Sequence, residues 1–257
     1  MVTTKYQKLS ADMQNILWKY LPEKLDEFRD VRGPTFSVSN GLVGDYQAIE
    51  MVGHGKFGQI ISCQNVKTGE HVILKKMSKS CVNSIASLKR VACEIKLLNT
   101  ASAVPQTLLP IDEVFQTNSH FYYIMDRFGR DVFDFMKLGE HSKRGVGYEN
   151  AVIIFTSVCE GLASLHRLGY AHRDMKSENV LVEHDLRPDG TYIVTGVKVI
   201  DLGLACDMED ETTRYESCGS RGFMAPESIM RRVQNPAVSD AWSLACLGLE
   251  IILGRQW

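Results

Sequence analysis

The sequence predicts an α+β protein in which strands come first and helices follow. Three observations carry this prediction. Between residues 45 and 125 the apolar residues fall in short β-branched and aromatic runs, at 45–52, 60–63, 71–75 and 121–125. Beyond them Val152, Phe155, Cys159, Leu162 and Leu165 recur at helical spacing and mark one face of a long helix. The stretch 239–254 is apolar nearly all round, which is the pattern of a buried helix.

Residues 1–44 read as a helical extension and linker. Met13, Ile16, Leu17, Tyr20 and Leu21 have helical spacing, with Ser10 as a cap and Pro22 as a break, and Leu25 and Phe28 continue the apolar face. Such a face packs on the chain's own strands or docks a partner. Gly33-Pro34 and Gly41 to Gly44 mark the linker. Then comes Gly53-His54-Gly55-Lys56-Phe57-Gly58-Gln59-Ile60. Three glycines let backbone amides close over phosphates without Cβ clashes, although the glycines alone equally suit a tight hairpin or a dinucleotide-binding turn. The strand-like run 60–63 argues against the dinucleotide turn, because it leaves no helix N-terminus for a pyrophosphate. His71-Val72-Ile73-Leu74-Lys75 ends in a lysine, which taken singly is a solvated strand end. Leu88, Val91, Ala92, Ile95 and Leu98 predict a helix that carries Glu94. Phe121 to Met125 is a further strand, followed by Asp126-Arg127-Phe128-Gly129-Arg130-Asp131.

The long helix closes at Gly169 and leads into His172-Arg173-Asp174-Met175-Lys176-Ser177-Glu178-Asn179. This octapeptide offers an acid, a cation and an amide, the groups from which a base, a phosphate contact and a metal ligand are made. The β-branched run 197–200 delivers Asp201-Leu202-Gly203, 22 residues after Asn179 and beyond a turn-rich insertion at 184–190. Taken singly, Asp-x-Gly is normally a turn. The stretch Cys218-Gly219-Ser220-Arg221-Gly222-Phe223-Met224-Ala225-Pro226-Glu227 follows.

In this order, and over residues 45–257, the motifs resemble those of the eukaryotic protein kinase family, serine/threonine type. The resemblance implies a bilobal fold: a small antiparallel sheet with its αC helix (45–125), a hinge (126–131) and a mainly helical large lobe (132–257). It implies a protein kinase that transfers the ATP γ-phosphoryl group to protein serine or threonine hydroxyls, with Mg2+, or Mn2+ in its place. In the family's roles Gly53, Gly55, Gly58 and Ile60 cover the nucleotide, Lys75 reaches its phosphates and Glu94 holds that lysine. Met125 is at the gatekeeper position, the backbone from Asp126 to Phe128 bonds the adenine edge, and Asp131 faces the ribose. Asp174 is the base, Lys176 contacts the γ-phosphate, Ser220 bridges Asp174 and Lys176, and Asn179 and Asp201 hold the metal. Asp240 is expected to bond the catalytic-loop backbone. Arg173 is expected to clamp a phosphorylated segment, for which Thr212, Thr213, Tyr215 and Ser217 offer hydroxyls. Glu216 either supplies a carboxylate in place of that phosphate or is a solvated acid beside Glu209, Asp210 and Glu211.

The chain also departs from the family pattern. Ile73 occupies the slot where kinases usually carry a small alanine beneath the adenine, and overpacking there costs about 1–3 kcal/mol. A shift of register to Lys76 would put Leu74 in that slot instead. The family continues with three further helices after its central one, so the reading expects a large lobe lacking its C-terminal helices and a Glu227 without its usual cationic partner, with the chain either a fragment of a longer one or covered over the gap by residues 1–44 or a partner. The alternative function is a pseudokinase, a nucleotide-binding scaffold with little turnover.

The formal charge of −2 and isoelectric point near 6.4 argue against general nucleic-acid binding. Seven cysteines without C-x-x-C spacing suggest a reducing, intracellular setting, cytoplasmic or nuclear. No signal-like segment opens the chain and no run of 18 apolar residues exists, so no membrane association is expected.

Overall fold

A computed structural model describes residues 41–55, 58–82, 84–99, 106–116, 120–138, 145–211, 213–232 and 235–254. The helix expected within residues 1–40 lies outside them. The chain divides into two compact units, residues 1–101 with 110–127, and residues 102–109 with 128–257.

The first unit is built on a six-stranded antiparallel sheet. In chain order its strands are β1 (Leu42–Val43), β2 (Tyr46–Gly55), β3 (Gly58–Asn65), β4 (His71–Ser78), β5 (Glu113–Gln116) and β6 (His120–Asp126), and in space they run β1-β2-β3-β4-β6-β5. Leu42 and Val43, read as linker, are thus an edge strand paired to Gln47 and Tyr46. Alternation sets the register, because Tyr46, Ala48, Ile61, Cys63, Val72, Leu74, Tyr122 and Ile124 all fall on the buried side. Helix α1 (Ile85–Asn99) begins with a reciprocal cap: Ser87 N–H donates to Ser84 Oγ at 3.1 Å and Ser84 N–H to Ser87 Oγ at 2.9 Å. Its apolar side buries Leu88, Val91, Ala92 and Ile95.

At the edge of this sheet Asp112 is pushed up to about pKa 6, first by burial and then by Asp126, Glu113 and Glu70. A carboxyl whose folded pKa lies above its unfolded value stabilises the fold when protonated, so this contribution is present below about pH 4 and is lost as pH rises through 6. Asp112→Asn is therefore expected to raise the melting temperature at pH 8 by about 1–3 °C and to leave it unchanged at pH 4. Scanning calorimetry at both pH values tests this. An equal shift at both would remove the electrostatic cause.

The second unit combines short sheets with helices. Strands β7 (Arg130–Asp131), β9 (Val180–Leu186) and β10 (Tyr192–Val199) form a sheet ordered β10-β9-β7, and β8 (Tyr170–Ala171) pairs with β11 (Cys206–Asp207). No sequence signal places residues 106–109 here. They join this unit through backbone bonds from Val199 N–H to Thr107 O at 2.7 Å and from Leu109 N–H to Val199 O at 3.2 Å. After the short helix α2 (Val132–Phe135), the long helix α3 (Tyr148–Arg167) buries Ala151, Ile154, Val158, Leu162 and Leu165. The face is thus rotated from the expected one: Val152 is exposed, and Phe155 instead packs where α5 (Pro236–Leu253) carries Gly248. A Cβ on Gly248 would lie 2.9 Å from that ring.

Helix α5 follows the one-turn helix α4 (Pro226–Ile229). It is capped by Asn235, whose Oδ1 accepts from Ala237 N–H at 3.0 Å, and it stops at Gly254 in the left-handed region, φ 64°. Its length and composition would suit a membrane span. Its buried side nevertheless carries Ser239, Asp240, Ser243 and Glu250, which is how a core helix with polar tasks is built. It is not buried all round, since Val238, Trp242, Leu249, Ile252 and Leu253 are exposed. Glu227 accepts a hydrogen bond from the Ser239 hydroxyl at 3.0 Å.

Candidate active site

In the first unit the glycine motif forms the turn of the β2–β3 hairpin, with Gly53 opposite Ile60 and Gly55 opposite Gly58. Gly58 is required by close approach, because a Cβ there would meet the Lys76 carbonyl oxygen at 1.9 Å. Ile60 is the register partner of Lys75 on β4. From α1 comes Glu94, 2% exposed, whose Oε1 lies 2.7 Å from Lys75 Nζ. Each charge alone would be costly to bury, and together they fix the ammonium in place. Lys76 is also held in the sheet, where burial pulls its pKa down, but the ion pair to Glu94 is made by Lys75. Ile73 faces Met125 across the β4–β6 ladder. Asp126 ends β6 and is exposed.

In the second unit, Phe128 has Lys198 Nζ 5.8 Å from its ring centroid, and a Cβ on Gly196 would lie 3.0 Å from its Cζ. Asp131 is the N-cap of α2, with Oδ1 accepting from Asp134 N–H at 2.7 Å. Burial raises its pKa, against that bond.

The octapeptide 172–179 is held from below by one carboxylate. Asp240, fully buried, accepts at Oδ2 from His172 N–H at 2.8 Å and at Oδ1 from Arg173 N–H at 2.7 Å, and His166 Nε2 lies 2.8 Å from Oδ2. Nothing in the spacing of α3 singles out His166. The His172 ring lies between Ile200 O, 3.1 Å from Nε2, and Asp174 N–H, which donates to Nδ1 at 3.2 Å. Because a carbonyl only accepts, Nε2 carries the hydrogen and Nδ1 is left to accept.

Around Asp174 two site residues converge. Ser220 Oγ donates to its Oδ1 at 2.8 Å, and Asn179 Nδ2 donates to its carbonyl oxygen at 2.7 Å and lies 3.4 Å from Oδ2. Ile200 N–H bonds Asn179 O at 3.0 Å, which brings Asp201 next to Asn179. Asp201 itself is in the left-handed region at φ 62°, an uncommon state for a residue with a Cβ. Lys176 does not reach Ser220 as expected. Its ammonium lies 3.9 Å from Glu178 Oε1.

The segment after Asp201 also differs from expectation. Thr213 is 2% exposed and its hydroxyl donates to Asp210 Oδ2 at 3.2 Å, while Ser217 Oγ donates to Ser228 O at 2.7 Å. Thr212 lies outside the described residues. Tyr215 is exposed, with its hydroxyl 2.5 Å from Arg214 Nη2. Glu216 is not a solvated acid, since its Oε2 lies 3.5 Å from Arg173 Nη2. None of the seven cysteines is in a disulfide, and burial pushes Cys206 up to about pKa 11, which keeps it protonated at neutral pH.

Comparison with known proteins supplies the family. A model of the protein kinase domain matches residues 46–257. The chain belongs to the protein kinase family. Among curated relatives, the domain is 29% identical over 217 residues to the maternal embryonic leucine zipper kinase of Danio rerio, covering 83% of this chain and 29% of that protein. It is 28% identical over 213 residues to the serine/threonine-protein kinase ICK of Rattus norvegicus, covering 80% and 30%. Mitogen-activated protein kinase 12 of Homo sapiens is 28% identical over 215 residues, covering 82% and 54%. The chain thus spans between about three tenths and half of these relatives' lengths.

As kinase domains generally use ATP and Mg2+, the donor set can be tested for fit. Asn179 spends its Nδ2 on Asp174, which leaves Oδ1 as its remaining polar atom, and Asp201 adds a carboxylate. Among the described residues no cluster of three or more His, Cys, Asp or Glu could hold a metal. Two protein oxygens completed by water and phosphate oxygens are what Mg2+ takes, so the residues fit.

Proposed function

We propose that this kinase domain transfers the γ-phosphoryl group of ATP to serine or threonine hydroxyls of proteins, with Asp174 as the proton acceptor. The observation that carries the reading is the fixed Asp174 carboxylate, with Ser220 Oγ at 2.8 Å on one oxygen and Asn179 Nδ2 at 3.4 Å from the other. A carboxylate held by donors has one orientation to offer an incoming hydroxyl, and this removes an ordering step from the barrier. The buried Lys75–Glu94 pair presents an ammonium that needs no further counter-ion before it meets a phosphate. Asn179 and Asp201 would hold Mg2+, which when bound neutralises charge on the phosphate oxygens. Lys176, two residues after Asp174, supports the serine/threonine assignment by its resemblance to that branch, as does the name of the rat relative. Seven thiols outside any disulfide support a reducing, intracellular setting.

Ile73 favours a second reading, a nucleotide-binding scaffold, because a branched side chain beside Met125 narrows the slot for an adenine. Labelled ATP with generic protein substrates, with and without Mg2+ or Mn2+, followed by phosphoamino-acid separation, distinguishes the two. Label on serine and threonine that disappears in Asp201→Ala is expected. Nucleotide binding without transfer would leave the scaffold, and label on tyrosine alone would overturn the acceptor class.

A further inference from the structure

Gly196 sits in the interior of β10, where a glycine weakens a strand, and its φ is not among the left-handed values that would call for one. Space accounts for it instead. A Cβ there would lie 3.0 Å from Phe128 Cζ, 3.2 Å from Glu183 Oε2 and 3.6 Å from Glu183 Cβ. The β9–β10 ladder puts Glu183 opposite Gly196, with the register shifting between Val194 and Gly196 in a bulge. The absent side chain is thus the place where the half-buried Phe128 ring rests. Lys198, two residues on and on the same face, has its ammonium 5.8 Å from the ring centroid and also donates to Gln106 O.

The residues after Phe128 are fastened to the same hairpin. Gly129, at φ 33°, passes so close to β9 that a Cβ would meet Val182 O at 2.0 Å, and Arg130 and Asp131 pair with Val182 and Leu181. Phe128 is where the chain enters the second unit from residues 110–127. Residues 127–129 belong to no strand or helix, so no ladder of their own sets their backbone. The ring on β10 and the glycine against β9 are what hold it. A side chain at 196 would push the ring off β10, and the main chain of Phe128 would move with it.

We propose that Gly196 is a positioning residue for nucleotide binding: the space it leaves seats the Phe128 ring on β10 and so fixes the peptide groups that meet the base. The proposal rests on the ATP-dependent reading above, with the backbone from Asp126 to Phe128 on the adenine edge. The test uses the full chain, with the dissociation constant for ATP from isothermal titration and steady-state kinetics beside it. Gly196→Val is expected to weaken ATP about tenfold and to raise its KM in parallel. At saturating ATP kcat should stay within about twofold of the wild type, as should the KM for the protein substrate, which is the signature of lost binding without lost chemistry. Gly196→Ala, the milder change, should weaken ATP about threefold. Phe128→Leu placed in the Gly196→Val protein shortens the displaced side chain and should bring ATP affinity back to within about threefold of the wild type. Wild-type ATP affinity in both Gly196 variants would overturn the proposal. So would a fall in kcat as large as the rise in KM, or a Phe128→Leu change that recovers nothing. ATP binding without transfer by the wild type would defeat the phosphotransfer reading alone, and the affinity series would still decide the role of Gly196. No ATP binding by the wild type would defeat both.

Discussion

Asp174→Asn is expected to lower the rate of phosphoryl transfer by about 10²–10⁴-fold, the range for removal of a general base. The substitution isolates proton acceptance from geometry. An amide oxygen can still accept from Ser220 Oγ, which donates at 2.8 Å in the native protein, and the Asn179 bond to the residue 174 carbonyl is untouched. What is lost is the ability to take the acceptor hydroxyl's proton. Nucleotide affinity and melting temperature should therefore stay near the wild-type values while kcat falls. Steady-state kinetics with isothermal titration of the nucleotide checks this, and an Asp174→Asn protein retaining more than about a tenth of wild-type kcat would remove Asp174 from the role.

The largest effect on stability is expected at Asp240. This buried carboxylate accepts from two backbone N–H groups, at 2.8 and 2.7 Å, with His166 Nε2 a further 2.8 Å away. Asp240→Ala would strand those donors where water cannot reach them, and removing one member of a buried charged set costs about 3–5 kcal/mol. Against a net stability of about 5–15 kcal/mol this is a large fraction. For a domain of this size it corresponds to a fall in melting temperature of roughly 6–20 °C. Asp240→Asn should fall between the wild type and the alanine variant, since its amide keeps one oxygen but turns an N–H₂ towards a donor. Melting within about 2 °C of the wild type for the alanine variant would mean that the loop is held by something else.

The site was legible in sequence where its chemistry is local. The octapeptide 172–179 carries acid, cation and amide within eight residues, and of the glycines of the β2–β3 hairpin Gly58 occupies a position where only glycine tolerates the approach of Lys76 O. Pairings at a distance were legible only through the family resemblance: Lys75 with Glu94 and Asp174 with Ser220 are 19 and 46 positions apart, and no spacing predicts them. The resemblance in turn misled where local packing decides. It placed Ser220 between Asp174 and Lys176, whereas Ser220 bonds Asp174 and the ammonium of Lys176 has Glu178 as its ion-pair neighbour. It also gave Thr213 as an available hydroxyl, although the turn from Asp210 to Glu216 folds that side chain inward.

Periodicity located α3 but not its orientation. Val152, Phe155 and Cys159 are apolar, yet the α3 residues at 0% exposure are Ile154, Val158 and Leu165, of which only Leu165 lies on the expected face. Apolar residues on both sides of a helix leave the buried face undecided until its neighbours are known, and here Gly248 draws Phe155 towards α5. The same ambiguity explains why 239–254 reads as buried all round when Trp242, Leu249, Ile252 and Leu253 are exposed. At Leu42–Val43 the signal was too short, since a two-residue strand at a sheet edge has no period to detect.

The backbone bonds of Val199 to Thr107 and Leu109 bear on how this protein can be dissected. Any contiguous fragment that contains all of the first unit must also carry residues 102–109, which belong to the second. Expressed without Val199, such a fragment would display a length of backbone whose donors and acceptors have lost their strand. The first unit is therefore not a separable module of the chain, and a minimal version of it needs the 102–109 excursion replaced by a designed turn.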